Sequence, residues 1–327
     1  MATVNVPFEG SRDYMTLGLR MFAPGLGDLV LTIPPLFNLK ARGIIHHIVL
    51  FVFNEGQAAL AKSFDFIDTV QIVDFDSDCR AQMFPGHFYI DMAEHPLEKI
   101  WWGSPEYLEK HGKTPVKNII EQILGGQGFP EVNPQPRRRG AYPYEGELSN
   151  AVLLAPGGRR RTKLLPDEHW LTLAEHIKHL GYDVYLIGDK HHKGSEQLLR
   201  LEAKGLKHYD KAWDFGRISG VQAIIEYIRQ AKAVVSIDNG IYHIASLMEK
   251  PTLGFFGPMP SWLWGGVGSK TVNMDTGCGI NCTSIPLDWD CVGHACMTTD
   301  FNPFLALRIF REDIEPWITD SSRSPLT

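Results

Sequence analysis

Three glycine-containing segments place charged side chains where a strand would turn into a helix. Gly25-Leu26-Gly27-Asp28 is the first. Its two glycines let the backbone turn tightly or approach a ligand closely. A carboxylate at such a turn can act as a general base toward a hydroxyl. The ordinary alternative is a helix start, because Asp is a favoured N-cap, and spacing alone favours that alternative. The segment is not a dinucleotide fingerprint, since Val30 stands where GxGxxG requires glycine. The second segment is Pro156-Gly157-Gly158-Arg159-Arg160-Arg161-Thr162-Lys163, with four cations in five residues. Those charges repel one another unless they are solvated or face an anion, and a loop between strand and helix suits phosphate. The P-loop pattern GxxxxGK[ST] is absent. The third is Ser236-Ile237-Asp238-Asn239-Gly240-Ile241-Tyr242-His243. Free N–H groups at a helix start favour an anion, and Gly240 permits close approach. A capped helix with His243 pointing into its domain fits the same residues equally well.

Four of the five cysteines fall late in the chain, as Cys278-x3-Cys282-x8-Cys291-x4-Cys296 with His294 inside. Four thiolates can make a tetrahedral site for zinc or iron, and such a site is structural because no position stays open. The spacings differ from the common CxxC pairs. Reduced thiols, or disulfides formed after purification, are the alternative. Trp101, Trp102 and the Tyr-rich middle suit a sugar or lipid pocket, but such aromatics are more often packing.

These residues need elements to position them. Leu17 to Ala23 reads as a strand, followed by a helix to Arg42 that Pro34 and Pro35 weaken. His47 to Phe53 and Val70 to Phe75 read as strands, with a helix from Gln57 to Phe64 between them. Residues 77–146 look irregular, and Pro134 to Gly140 reads as a linker. Strands follow at Ala151–Ala155, Asp183–Ile187, Ala233–Ile237 and Thr252–Phe256. Helices alternate with them: one from Pro166 with Trp170, Leu173, Ile177 and Leu180 on one face, and one capped by Ser219. Alternation of this kind implies an α/β fold of parallel sheets covered on both faces. Two such series imply two doubly wound domains, with ligands beyond the carboxyl ends of the strands and in the cleft between domains.

A chain of 327 residues fits two domains of roughly 150 residues each. Its 44% hydrophobic and 21% charged residues exclude disorder and coiled coil as the main architecture. A net charge of −6 argues against broad nucleic-acid binding. The longest apolar stretch, Ile44 to Phe53, is about half the ~20 residues of a membrane-spanning helix. The N-terminal residues lack signal-peptide character, so the expected compartment is cytoplasmic.

Several separated segments together resemble the heptosyltransferase-type glycosyltransferases of family 9. Gly25 to Pro34 resembles that family's G-x-G-D-x-x-x-x-x-P signature. Pro156-Gly157-Gly158 with Lys163, Pro166, Glu168 and Trp170 resembles its P-G segment. Asp238 to Ala245 is similar to D-[ST]-G-x-x-H-x-A, with Asn239 in place of Ser or Thr, and Phe255-Phe256-Gly257-Pro258 is similar to the F-G-P that follows. The late cysteines are similar to a cluster that many members carry. A related branch glycosylates autotransporter proteins and has an iron-bound cysteine cluster.

The resemblance implies a GT-B fold of two Rossmann-like domains facing a central cleft. Residues 1–145 would form the acceptor domain. Residues 146–327 would form the donor domain, with the cysteines and a terminal helix that crosses back. It implies inverting transfer from a nucleotide sugar, typically ADP-heptose, with no catalytic metal. The acceptor would be a glycan, lipid-linked or protein hydroxyl, typically lipopolysaccharide core, at the inner face of the inner membrane with at most peripheral membrane contact. Asp28 would be the base. Gly27, Gly157, Arg159, Arg161, Lys163, Asp238, Asn239, Gly240 and His243 would bind the donor. Cys278, Cys282, Cys291 and Cys296 would hold a structural iron or zinc. The acidic residue that some members place beside the ribose is not found within Arg217-Ile218-Ser219-Gly220. The other classes in play are a sugar-nucleotide epimerase of GT-B type and a non-catalytic nucleotide-sugar binding protein. Oligomeric state is open.

Overall fold

The computed structural model describes residues 15–83, 87–95, 104–138, 146–158, 160–190, 195–210, 220–277 and 295–320. Two all-parallel sheets organise them. The first has the order β3-β2-β1-β4, with β1 Thr16–Arg20, β2 His47–Val52, β3 Thr69–Ile72 and β4 Phe88–Asp91. The second has the order β6-β5-β7-β8-β9, with β5 Ala151–Ala155, β6 Asp183–Leu186, β7 Ala233–Ile237, β8 Thr252–Phe256 and β9 Thr271–Asp275. Strands β1, β5, β7 and β8 are buried at every position. That matches their apolar runs, since a central parallel strand is covered on both faces.

Helices α1 Leu26–Ala41, α2 Glu55–Ala61, α3 Pro105–His111 and α4 Val116–Ile123 accompany the first sheet. With the second come α5 Asp167–His179, α6 Glu196–Ala203, α7 Gly220–Gln230, α8 Gly240–Leu247 and α9 Ser261–Trp264. The chain then forms α10 Pro303–Ile309, a π turn Phe310–Ile314 and α11 Glu315–Thr319. These last elements pack on α5 and β8, and Phe310 and Ile314 enter the core of the second sheet.

One expectation holds against its local signal, and one changes. Pro34 and Pro35 lie inside α1 without ending it. Each removes one helix hydrogen bond. Burial of Leu29, Val30, Leu31, Ile33, Leu36 and Leu39 outweighs that loss. The middle of the chain is also more regular than its composition suggests. It contains β4, α3 and α4, with Ser104 Oγ capping α3 by accepting from Tyr107 N–H at 3.1 Å. The Ser-Pro start of α3 is a sequence signal for such a helix.

The extended segment at Pro134 is docked to both sheets' units. Gln135 Nε2 donates to the Leu247 carbonyl at 3.2 Å, and Asn133 Nδ2 donates to Glu249 Oε1 at 2.8 Å. Arg137 Nη1 meets Asp65 Oδ1 at 2.7 Å. The two units also share apolar packing. Helix α1 lies on α8 and α2 lies on α7. Leu29 and Ile33 belong to one buried cluster with Ile224, Ile228, Ile244 and Leu247. The carboxyl ends of β1 and β7 are thereby brought together.

Candidate active site

Helix α1 begins at Leu26 with Gly25 as its N-cap, so Asp28 is the third residue of the helix and not the cap itself. Its carboxylate reaches back to accept from the Gly25 N–H. This is the acid half of a capping box. A β-carbon on Gly25 would collide with Asp28 Oδ2, which is why glycine stands there. Burial pushes the Asp28 carboxyl up to about 6. His243 and Lys163 pull it down, and Asp238 pushes it further up. The group is mostly ionised at neutral pH yet takes a proton far more readily than a surface Asp. Those are the properties of a general base. A helix-start role and a readily protonated carboxyl therefore coexist in one residue.

Asp238 directly follows β7 and is buried. Its Oδ2 lies 2.5 Å from Lys163 Nζ, and its Oδ1 lies 3.2 Å from His243 Nε2. Burial alone would raise its pKa. Lys163 and His243 overcome that and hold the carboxyl well below the usual carboxylate range. Asp28, Lys163, Asp238 and His243, three of them from the second unit, thus form one electrostatic cluster across the domain boundary.

Arg160 belongs to it as well. Burial lowers its pKa, and Asp238 and Asp28 act against that. Its Nη1 lies 3.9 Å from Met259 Sδ. Arg161 is exposed, and Arg159 lies outside the described residues. Nothing in the sequence separates Arg160 from Arg161, because only the path of the loop decides which of these two turns inward.

The Asn239 side chain is fully engaged within the fold. Oδ1 accepts from Ile241 N–H at 2.9 Å and Tyr242 N–H at 3.0 Å. Nδ2 donates to the carbonyls of Ala155 at 3.0 Å and Gly157 at 2.9 Å. Asn239 thus caps α8 and ties it to the β5 loop. A Ser or Thr hydroxyl carries one proton and could not make both donations. The α8 start is consequently less open to an anion than its sequence suggests. A β-carbon on Gly240 would meet Leu26 Cβ at 2.9 Å, so this glycine lets α8 approach α1. His243 is buried, with Nδ1 lacking a hydrogen-bond partner. It packs against Gly27. The inward-pointing alternative for His243 holds, and its contact is Asp238.

Of the cysteine cluster, Cys278, Cys282 and Cys291 lie outside the described residues, as do His294, Trp101, Trp102 and Ser219. Cys296 is buried, and a β-carbon on Gly257 would lie 3.1 Å from its Sγ. Among the described residues no group of three or more His, Cys, Asp or Glu side chains is placed to hold a metal ion.

Residues 134–283 match the family model described as glycosyltransferase family 9 (heptosyltransferase). Lipopolysaccharide heptosyltransferase 1 of Pseudomonas aeruginosa is 31% identical over 193 residues, which are 56% of this chain and 51% of that relative. Just under half of the chain is thus similar to glycosyltransferase family 9. The chain spans about half the length of this curated relative. The family 9 match contains Lys163 and the Asp238–His243 segment, whereas Asp28 lies before it. Among solved structures, the ADP-heptose lipopolysaccharide heptosyltransferase II of Escherichia coli superposes with a TM-score of 0.62 at 15% identity, covering 94% of this chain and 100% of that one. An iron-containing dodecameric glycosyltransferase from enterotoxigenic E. coli gives 0.61 at 15% identity, covering 92% of this chain and 76% of that one. The GT-B expectation for the fold is met.

Proposed function

We propose that this chain is an inverting glycosyltransferase that moves heptose from ADP-heptose to an acceptor hydroxyl of lipopolysaccharide core or of a protein, without a catalytic metal. The observation that carries the reading is the Asp28 carboxylate, raised to about 6, facing Lys163 and the Asp238–His243 pair across the domain boundary. The family 9 match over residues 134–283 and the similarity to a lipopolysaccharide heptosyltransferase support the donor class.

In this reading Asp28 takes the proton of the acceptor hydroxyl as its oxygen attacks C1 of the sugar. The bond from C1 to the diphosphate breaks on the opposite face, which inverts the centre. Lys163 and Arg160 stabilise the charge growing on the departing diphosphate. Asp238 is held as a firm carboxylate by two partners, so it orients Lys163 and His243 and is a poor proton acceptor. Residues 1–145 act as the acceptor domain and residues 146–327 as the donor domain. Among the described residues no helix is long and apolar enough to cross a membrane. A cytoplasmic enzyme working at the inner face of the inner membrane fits that.

The four late cysteines offer thiolates for a structural iron or zinc, and one fold neighbour is iron-containing.

Thermal melting with a panel of nucleotide sugars tests the donor. ADP-heptose should raise the melting temperature more than UDP- or GDP-sugars. Equal shifts from all of them, or none, would count against this donor.

A further inference from the structure

Two amide side chains from the β2–α2 unit hold the loop that carries Asp28. Gln57 is fully buried. Its Nε2 donates to the carbonyls of Ala23 at 2.8 Å and Gly25 at 3.0 Å, and its Oε1 accepts from Phe53 N–H at 3.0 Å. Asn54 Nδ2 donates to the Pro24 carbonyl at 2.8 Å. Asn54 Oδ1 also accepts from Gln57 N–H at 2.9 Å, which caps α2. Three consecutive carbonyls, of residues 23, 24 and 25, are therefore all gripped from one neighbouring element.

We infer that Asn54 and Gln57 are positioning residues that set the place of the Asp28 carboxylate. This rests on Asp28 being the base. The physical argument runs through Gly25. It is the helix N-cap, its N–H binds the Asp28 carboxylate, and its carbonyl accepts from both Leu29 N–H and Gln57. Glycine has wide backbone freedom, so an ungripped Gly25 would let that N–H, and the carboxylate it holds, wander. A buried amide is also a specific choice. An apolar side chain of the same size would fill the space, but it would take that donor from the part-buried Ala23 carbonyl and leave the Gly25 carbonyl with Leu29 N–H alone.

Two neutral substitutions separate positioning from folding. Asn54→Ser keeps an N-cap oxygen but is too short to reach the Pro24 carbonyl. Gln57→Met keeps the bulk and removes all three side-chain bonds. The probe is ADP-heptose with heptose-free lipopolysaccharide core as the acceptor, read as ADP released at saturation, with the KM for ADP-heptose and the melting temperature alongside. In both variants kcat should fall ~10- to 100-fold, as a small misplacement of a reacting group does. The KM for ADP-heptose should stay within about twofold, because the grip lies on the acceptor side. Asn54→Ser should melt like the parent, and it decides the matter if Gln57→Met does not fold. The Asp28 carboxyl, followed by 13C NMR titration, should leave its midpoint of about 6 in both. An unchanged kcat and midpoint in Asn54→Ser would overturn the inference, as would a change confined to KM. If the parent releases no ADP, the transfer reading fails, and the NMR midpoint alone still judges the grip.

Discussion

Gly27 in the first unit and His243 in the second are in direct contact: a β-carbon built on Gly27 would lie 2.6 Å from His243 Cδ2. The glycine of the sequence motif is thus a point of closure between two domains. Its lack of a side chain lets the helix that carries Asp28 rest on the imidazole that orients Asp238. Gly240 against Leu26 repeats the arrangement one step away.

Gly27→Ala should push the two units apart. Because the His243 ring is buried and held by Asp238, it has little room to yield. The expected loss is ~1–3 kcal/mol, the range for overpacking a close contact, with a matching fall in ADP release. In a His243→Ala background, which is itself destabilised because Asp238 loses a partner, Gly27→Ala should cost far less melting temperature than it does in the parent. A Gly27→Ala protein as stable and active as the parent would contradict this contact.

Asp28→Asn should abolish transfer while leaving ADP-heptose affinity within about threefold, measured by calorimetry. In the parent, kcat should rise with pH through about 6, because the base must be ionised. Stability should move the other way. Asp28 binds its proton more tightly in the fold than in the open chain, where its ordinary value is 3.8. Folding stability therefore falls as pH rises from about 4 to about 6, by at most ~3 kcal/mol. Asp28→Asn should melt higher than the parent at pH 8 and alike at pH 4.

Lys163→Met should weaken ADP-heptose binding and lower kcat together, since the ammonium serves both the bound donor and the departing diphosphate. The unliganded protein should also lose stability, by ~2–4 kcal/mol, because Asp238 would keep only His243 as a partner for a buried charge. Unfolding by urea reads the second effect without any ligand. A variant with parent-like stability would show that Asp238 does not depend on Lys163.

Metal analysis of protein purified without added metal should find about one iron or zinc per chain. Cys278→Ser with Cys282→Ser should remove it and lower the melting temperature. The donor-dependent shift should persist, since a four-thiolate site is structural. A trace amount in the parent would dispose of the metal site.

The amino-acid sequence by itself determined the alternation of apolar strands and amphipathic helices, and with it two parallel sheets. It also determined the motif residues Asp28, Lys163, Asp238 and His243. These are legible because burial on both faces leaves continuous apolar runs, and because glycine beside charge marks a strand-to-helix turn. Helix α1 running on to Ala41 was legible from its apolar spacing, although Pro34 and Pro35 speak against it locally and packing has to override them. The tertiary structure alone decided that Arg160 turns toward Asp238 and Asp28 while Arg161 is exposed, and that the Asn239 amide is used up in capping α8 and tying it to β5. It alone brought Asn54 and Gln57, some thirty residues away, onto the carbonyls beside Asp28. The reason is physical. Hydrogen bonds and electrostatic fields act over a few ångströms of space, and distance along the chain does not report distance in the fold.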